Sequence, residues 1–116
     1  MADARRMMRL SAYRAMWLLV LFDLPVKSKP QRKLATSFRE YLLKDGFSRI
    51  QYSVYTRPCP SEENAQVHRR RVQQAVPPEG LVRILVFTDK QFSRMDCYQG
   101  AIPVAPESQP RQLDLF

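Results

Sequence analysis

The most apolar run in the chain, MWLLVLF at residues 16–22, stops at a single carboxylate, Asp23, with Pro25 just beyond and no second acid close by. Read as a strand, this segment places Asp23 on one face with Leu21, Leu19 and Trp17. Two roles are open to such a residue. On its own it terminates the strand and caps a loop. Paired with its counterpart from a second copy across a twofold axis, it becomes one of two convergent carboxylates, which share a proton or hold a divalent cation. A hydrated Mg²⁺ held there would position or activate water against a phosphodiester.

Basic residues follow directly: Lys27, Lys29, Arg32 and Lys33, and later the run Arg69, Arg70 and Arg71. Each cluster reads either as a solvated helix face or as a set of phosphate contacts. The whole chain tips the balance, because 19 Lys and Arg against 11 Asp and Glu leave a net charge of +8. A surplus of this size favours a polyanionic partner, nucleic acid ahead of membrane lipid, since no amphipathic anchor helix is evident. Backbone reading is the expected mode. Tyr52 and Tyr55 fall on opposite faces of a predicted strand, which does not support a stacking platform, and three glycines are too few for a phosphate-cradling loop.

Other chemistries find little purchase. Cys59, Cys97 and His68 lack metal-ligand spacing, so a zinc site is not expected and both thiols are read as reduced in a cytoplasmic protein. His68 reads as a helix-face residue. No apolar run approaches the ~20 residues of a membrane span, and the Arg-rich start has no uninterrupted apolar core of a signal peptide.

The elements that must position these groups can be placed by pattern. At 116 residues one domain is expected. The run at 16–22 lacks alternation, which predicts a central strand covered on both faces. Ser28-Lys29-Pro30-Gln31 has the form of a capping box opening a helix. Leu34, Phe38, Tyr41 and Leu42 form its apolar face, and Gly46 stops it. FSRIQYSVYTR alternates, with Ile50, Tyr52 and Val54 on one side and Arg49, Gln51, Ser53, Tyr55 and Arg57 on the other; a bend at residues 49–51 would split it. A second helix starts at Ser61, has Ala65, His68, Val72 and Val76 on its inner face, and ends at Pro77-Pro78. GLVRILVF is another apolar strand, and FSRMDCY reads as a short one. Residues 1–15 are expected to form a basic arm, 16–100 the domain, and 101–116 a flexible proline-containing tail. The order predicts an α+β, ferredoxin-like β-α-β-β-α-β sandwich, with an antiparallel sheet and both helices on one face. Two helices cover only one face of that first strand, so the simplest cover for the other is a second copy, giving a sheet-to-sheet homodimer.

WLLVLFDLP, YLLKDGF, RIQYSVYTR and VRILVFTDKQF together resemble the smaller of the two universal CRISPR adaptation proteins, the Cas2 family. DLPVKSKPQRK and QYSVY resemble members found beside type II systems. The likeness spans about residues 16–98. It implies a ferredoxin-like homodimer that bridges two dimers of the adaptation integrase and holds a double-stranded DNA prespacer for insertion into the CRISPR array. The phosphoryl-transfer site would belong to the integrase, and the location would be the bacterial cytoplasm. The resemblance also implies a metal-dependent endonuclease activity, with Asp23 as the ligand and one Mg²⁺ per dimer. The alternative is an autonomous metal-dependent ribonuclease, toxin-like in character. Arg32 and Ser53 match positions that the family pattern associates with DNA or the active-site neighbourhood. Phe22 stands where many members have Tyr before the Asp.

The chain ends in Gln112, Leu113, Asp114, Leu115 and Phe116, which resembles the bacterial sliding-clamp-binding pentapeptide Q-L-x-L-F. A tether ending in leucines and an aromatic suits an apolar groove. The same residues could instead dock as a strand on the integrase or on the other subunit.

Overall fold

The structure is a computed structural model and describes residues 14–110. The elements, in order, are β1 (Met16–Asp23), α1 (Lys29–Lys44), β2 (Ser48–Gln51), β3 (Val54–Cys59), α2 (Glu62–Ala75), β4 (Leu81–Thr88), α3 (Asp89–Ser93), β5 (Cys97–Gln99) and β6 (Ile102–Val104). Four strands make an antiparallel sheet in the order β2-β3-β1-β4, with β1 central as its unbroken apolar sequence predicts. This is the expected ferredoxin-like α+β arrangement.

Pattern and structure agree where capping chemistry is explicit. Ser28 Oγ accepts from the Gln31 N–H at 3.2 Å and Gln31 Oε1 accepts from the Ser28 N–H at 3.0 Å, closing the capping box of α1. Gly46, at φ +86°, takes the left-handed conformation just past the helix end. Ser61 caps α2 through the Asn64 N–H. The core lies between the sheet and these helices: Met16, Leu18, Val20 and Phe22 from β1 meet Ala35, Phe38 and Leu42 from α1 and Ala65 and Val72 from α2.

Four expectations are corrected. The inner face of α1 is Ala35, Phe38 and Leu42, with Leu34 exposed; a small alanine lets the helix approach where leucine would hold it off. Val76 caps the end of α2 and is exposed, whereas Ala65, His68 and Val72 are buried as expected. The 47–57 segment divides at Tyr52-Ser53, a two-residue turn, with a register shift between Arg49 and Gln51. Tyr52 is exposed in the turn, while Tyr55 lies in β3 opposite the core residue Val20 and is buried. The predicted strand at 92–98 is a short helix followed by a strand: Thr88 and Gln91 form a second capping box and start α3, which runs to Ser93 before β5.

The second face of the sheet is only partly covered. Trp17 is buried there by Phe92 of α3, the rings stacked at 4.1 Å between centroids, and its Nε1–H donates to Asp89 Oδ1 at 2.8 Å. Further along β1, Leu19 and Leu21 are only half-buried, and on β4 Leu85, opposite Leu19, and Leu81, opposite Asp23, are exposed. Beyond β4, β5 and β6 pair as a separate hairpin whose turn contains residue 100. Past it, the Gln109 amide donates to the Met16 carbonyl at 2.8 Å.

Candidate nucleic-acid interface

Asp23 ends β1 on the partly covered face, exposed, and opposite Leu81 of β4. It lines a shallow open depression of about 250 Å³ together with Leu21, Phe22, Ser53, Val54, Leu81 and Arg83. Two backbone features build this corner. The Phe22 N–H donates to the Ser53 carbonyl at 3.1 Å, holding the β2–β3 turn against the end of β1. Gly80, at φ +95°, lets the chain entering β4 pass against Asp23, where a Cβ would lie 2.7 Å from the Asp23 carbonyl oxygen.

The sequence-named neighbours divide. Ser53 is at the site. Phe22 lines the base of the depression, but its ring is a core ring, edge-on to Phe38 at 5.2 Å and stacked near Tyr55 at 5.6 Å. Its even register in β1 sends it toward the helices, opposite to Asp23. Arg83 was not singled out by sequence. It stands across from Leu21 and two residues from Leu81, which makes it the diagonal neighbour of Asp23. Only the antiparallel register of β1 and β4 reveals this.

Among the described residues, Asp23 is the one acid lining the depression, and no three His, Cys, Asp or Glu side chains converge. Mg²⁺ typically keeps several waters and takes one or two carboxylates plus phosphate oxygens. An exposed Asp23 in an open depression fits that demand when a second chain supplies the other carboxylate.

The basic clusters are separate. Lys27, Lys29 and Lys33 are exposed around the start of α1. Arg32 is in the same turn, but its Nη1 donates to the Val26 and Lys27 carbonyls at 3.2 Å each, which rigidifies the loop that carries the lysines. In α2, Arg71 donates to Asp45 Oδ1 at 3.0 Å, Arg69 leans on Gln66 at 3.4 Å, and Arg70 is exposed. Asp45 lies at the far end of α1, a 16-residue helix about 24 Å long. Arg71 is therefore held at the opposite end of α1 from Lys29, and the two clusters do not merge into one patch. The tail residues Gln112 to Phe116, and the arm up to residue 13, lie outside the described residues.

A family model for CRISPR associated protein Cas2 matches residues 16–95. The chain belongs to the Cas2 family. It is 45% identical over 108 residues to the "CRISPR-associated endoribonuclease Cas2" of Flavobacterium psychrophilum, covering 93% of this chain and 94% of the relative. The protein of the same name from Parvibaculum lavamentivorans is 46% identical over 101 residues, covering 87% of this chain and all of the relative. A solved Cas2 crystal structure superposes with a TM-score of 0.53 at 20% identity, over 84% of this chain and 99% of that one, which supports the shared fold. No helix among the described residues of this Cas2 chain is long and apolar enough to cross a membrane.

Proposed function

We propose that this Cas2 chain is the homodimeric scaffold of CRISPR spacer acquisition, bridging integrase dimers and holding double-stranded prespacer DNA by its backbone. The observation that carries the reading is the half-covered sheet face. Leu19, Leu21, Leu81 and Leu85 are left for another surface, and Asp23 and Arg83 stand at the end of the same face. A second copy packed there buries the leucines and brings two Asp23 carboxylates toward one axis. The lysines beside α1 then flank the shared end from both subunits and supply sequence-independent contacts to phosphates.

The pair of Asp23 carboxylates would hold one Mg²⁺, which when bound neutralises phosphate charge and polarises a phosphoryl oxygen. What the chain itself contributes is position: Gly80 and the Ser53 carbonyl fix the backbone on either side of Asp23. The tail at residues 112–116 joins the assembly by docking on the integrase, on the other subunit or on the sliding clamp.

A second reading, an autonomous metal-dependent endonuclease, draws support from the name "endoribonuclease" carried by the relatives and from the openness of Asp23 to solvent. The two readings part at Asp23. Integration of labelled duplex DNA by the partner integrase is measured with wild-type protein, with Asp23→Ala, and with no Cas2 added. Full activity with Asp23→Ala and none without Cas2 is expected for the scaffold. Loss with Asp23→Ala, while the dimer and its DNA complex stay intact, would overturn it in favour of chemistry at Asp23.

A further inference from the structure

The sheet face left half-covered carries one acid and one base. Val82, Ile84 and Val86 pack on the core, so the alternate residues of β4, Leu81, Arg83 and Leu85, look out from the other side. On β1 the same side carries Leu19, Leu21 and Asp23. Among the residues of the four-stranded sheet that share this face, only Asp23 and Arg83 are charged. Arg83 is flanked on its face by Leu81 and Leu85 and stands opposite Leu21, so three leucines surround it.

In a single chain both charged groups are exposed and line one open depression. They do not bridge to each other there, since both ion pairs among the described residues are made by Asp45. A second copy laid over the leucines changes their surroundings. It cannot cover Leu21, Leu81 and Leu85 without taking Arg83 out of water with them, and a guanidinium withdrawn from water needs an opposite charge. The same copy brings two Asp23 carboxylates toward one axis, where they repel each other. Arg83 is the diagonal cross-strand neighbour of its own Asp23, about 7–8 Å away between backbones. With the two Asp23 residues drawn together, the other chain's carboxylate comes within reach of the same long side chain.

We infer that Arg83 is the cross-subunit counter-ion of Asp23: in the homodimer each guanidinium pairs with the partner's Asp23, and two acids and two bases close a neutral cluster about the axis. This rests on the homodimer reading above and deepens it by naming the residues that set the register. Leucines alone tolerate many ways of laying one sheet on another, whereas the cluster forms only where Arg83 meets Asp23. A cation at the Asp23 carboxylates competes with Arg83 for the same oxygens. Asp23→Ala is a mild change, because it also removes the repulsion between the two acids and leaves the Arg83 stems able to carry their charge toward solvent. Charge reversal is the informative one.

The test uses the full-length wild type, Asp23→Arg, Arg83→Asp and a chain carrying both reversals. Sedimentation gives the dimer constant, and native mass spectrometry gives the composition of each dimer, since the two single variants differ in mass. Both side chains are exposed in the single chain, so the reversals leave the core untouched, as circular dichroism would verify. Each single reversal sets like charges against each other twice per dimer and should raise the dissociation constant about 100-fold or more. Mixed one to one, Asp23→Arg and Arg83→Asp should associate again as a heterodimer, because every cross-subunit pair then joins a base to an acid. The doubly reversed chain should dimerise by itself for the same reason. A single reversal that dimerises like wild type, or a mixture that associates no better than its components, overturns the ion pair and leaves the homodimer reading standing. Wild type that stays monomeric across the concentration series overturns both.

Discussion

The uncovered part of the sheet makes a quantitative prediction at Leu85. This residue pairs with Leu19 across β1 and β4 and retains 38% of its surface to solvent. Burying a leucine completely is worth ~1.5–3 kcal/mol, so finishing the burial of Leu85 in the proposed dimer would contribute about 0.6–1.1 kcal/mol per subunit. Twofold symmetry counts it twice, giving about 1–2 kcal/mol, or roughly 5- to 30-fold in the dimer dissociation constant for Leu85→Ala. Leu85→Arg is harsher, because it places like charges from both subunits near one axis at a cost of several kcal/mol, and it should raise the constant by about 100-fold or more. Sedimentation over a concentration series reads both. Leu43→Arg is the control: Leu43 is 54% exposed on α1, on the helix side, and the same charge there should leave association unchanged. Circular dichroism verifies that each variant folds. A Leu85→Arg protein that dimerises like wild type, or a Leu43→Arg protein that dissociates, would refute the assignment of the interface to this face.

Three further outcomes follow from two buried groups. Asp45 joins the helices by accepting from Arg71 at 3.0 Å and pairing with the buried His68 Nδ1 at 2.8 Å. Asp45→Ala should cost about 2–3 kcal/mol, mostly at the buried His68 contact because Arg71 is solvent-screened, and lower the melting temperature by about 10 °C; a loss below about 1 kcal/mol would show that the pair is incidental. Burial pushes the Cys59 thiol above its ordinary value of 9.0, with Arg57 beside it pulling partly back. Iodoacetamide should therefore modify the half-exposed Cys97 well before Cys59, as peptide mapping would read, and early loss of Cys59 would contradict its burial. The sign of the linkage is fixed too. Above pH 9.0 the unfolded chain gives up this proton sooner than the folded one, so Cys59 makes stability fall as pH rises through that range.

How much of this was legible depended on whether the signal was local. Ser28 and Gln31 announce α1, Ser61 announces α2, and the unbroken apolar run announces a central strand, because capping and burial leave their marks within a few residues. Thr88 and Gln91 carry the same mark for α3. It is masked by the adjoining apolar strand and by the β-like look of FSRMDCY. The environments of Tyr52 and Tyr55 were not readable from alternation, because the two-residue turn at Tyr52-Ser53 interrupts the strand count before Tyr55. Leu34 and Ala35 exchange roles for a reason of volume that only the packed helix expresses. Arg83 is the hardest case. Nothing in GLVRILVF distinguishes it, and its place beside Asp23 exists only through the pairing of β4 with β1.

The single carboxylate at the end of β1 then has a physical context. The unbroken apolar sequence of β1 demands cover on two faces. The core supplies one, and on the other Phe92 covers Trp17 but stops short of Leu19 and Leu21. The same alternation that leaves these leucines uncovered puts Asp23 on their face, so whatever covers them also determines what Asp23 meets. If that cover is a second copy, carboxylate pairing depends on dimerisation, and Leu85→Arg should weaken Mg²⁺ binding although Leu85 touches no ligand. Titration calorimetry with Mg²⁺ separates the cases: weakened binding in both Leu85→Arg and Asp23→Ala ties the site to the interface. Binding lost only in Asp23→Ala would make each chain sufficient for its own cation.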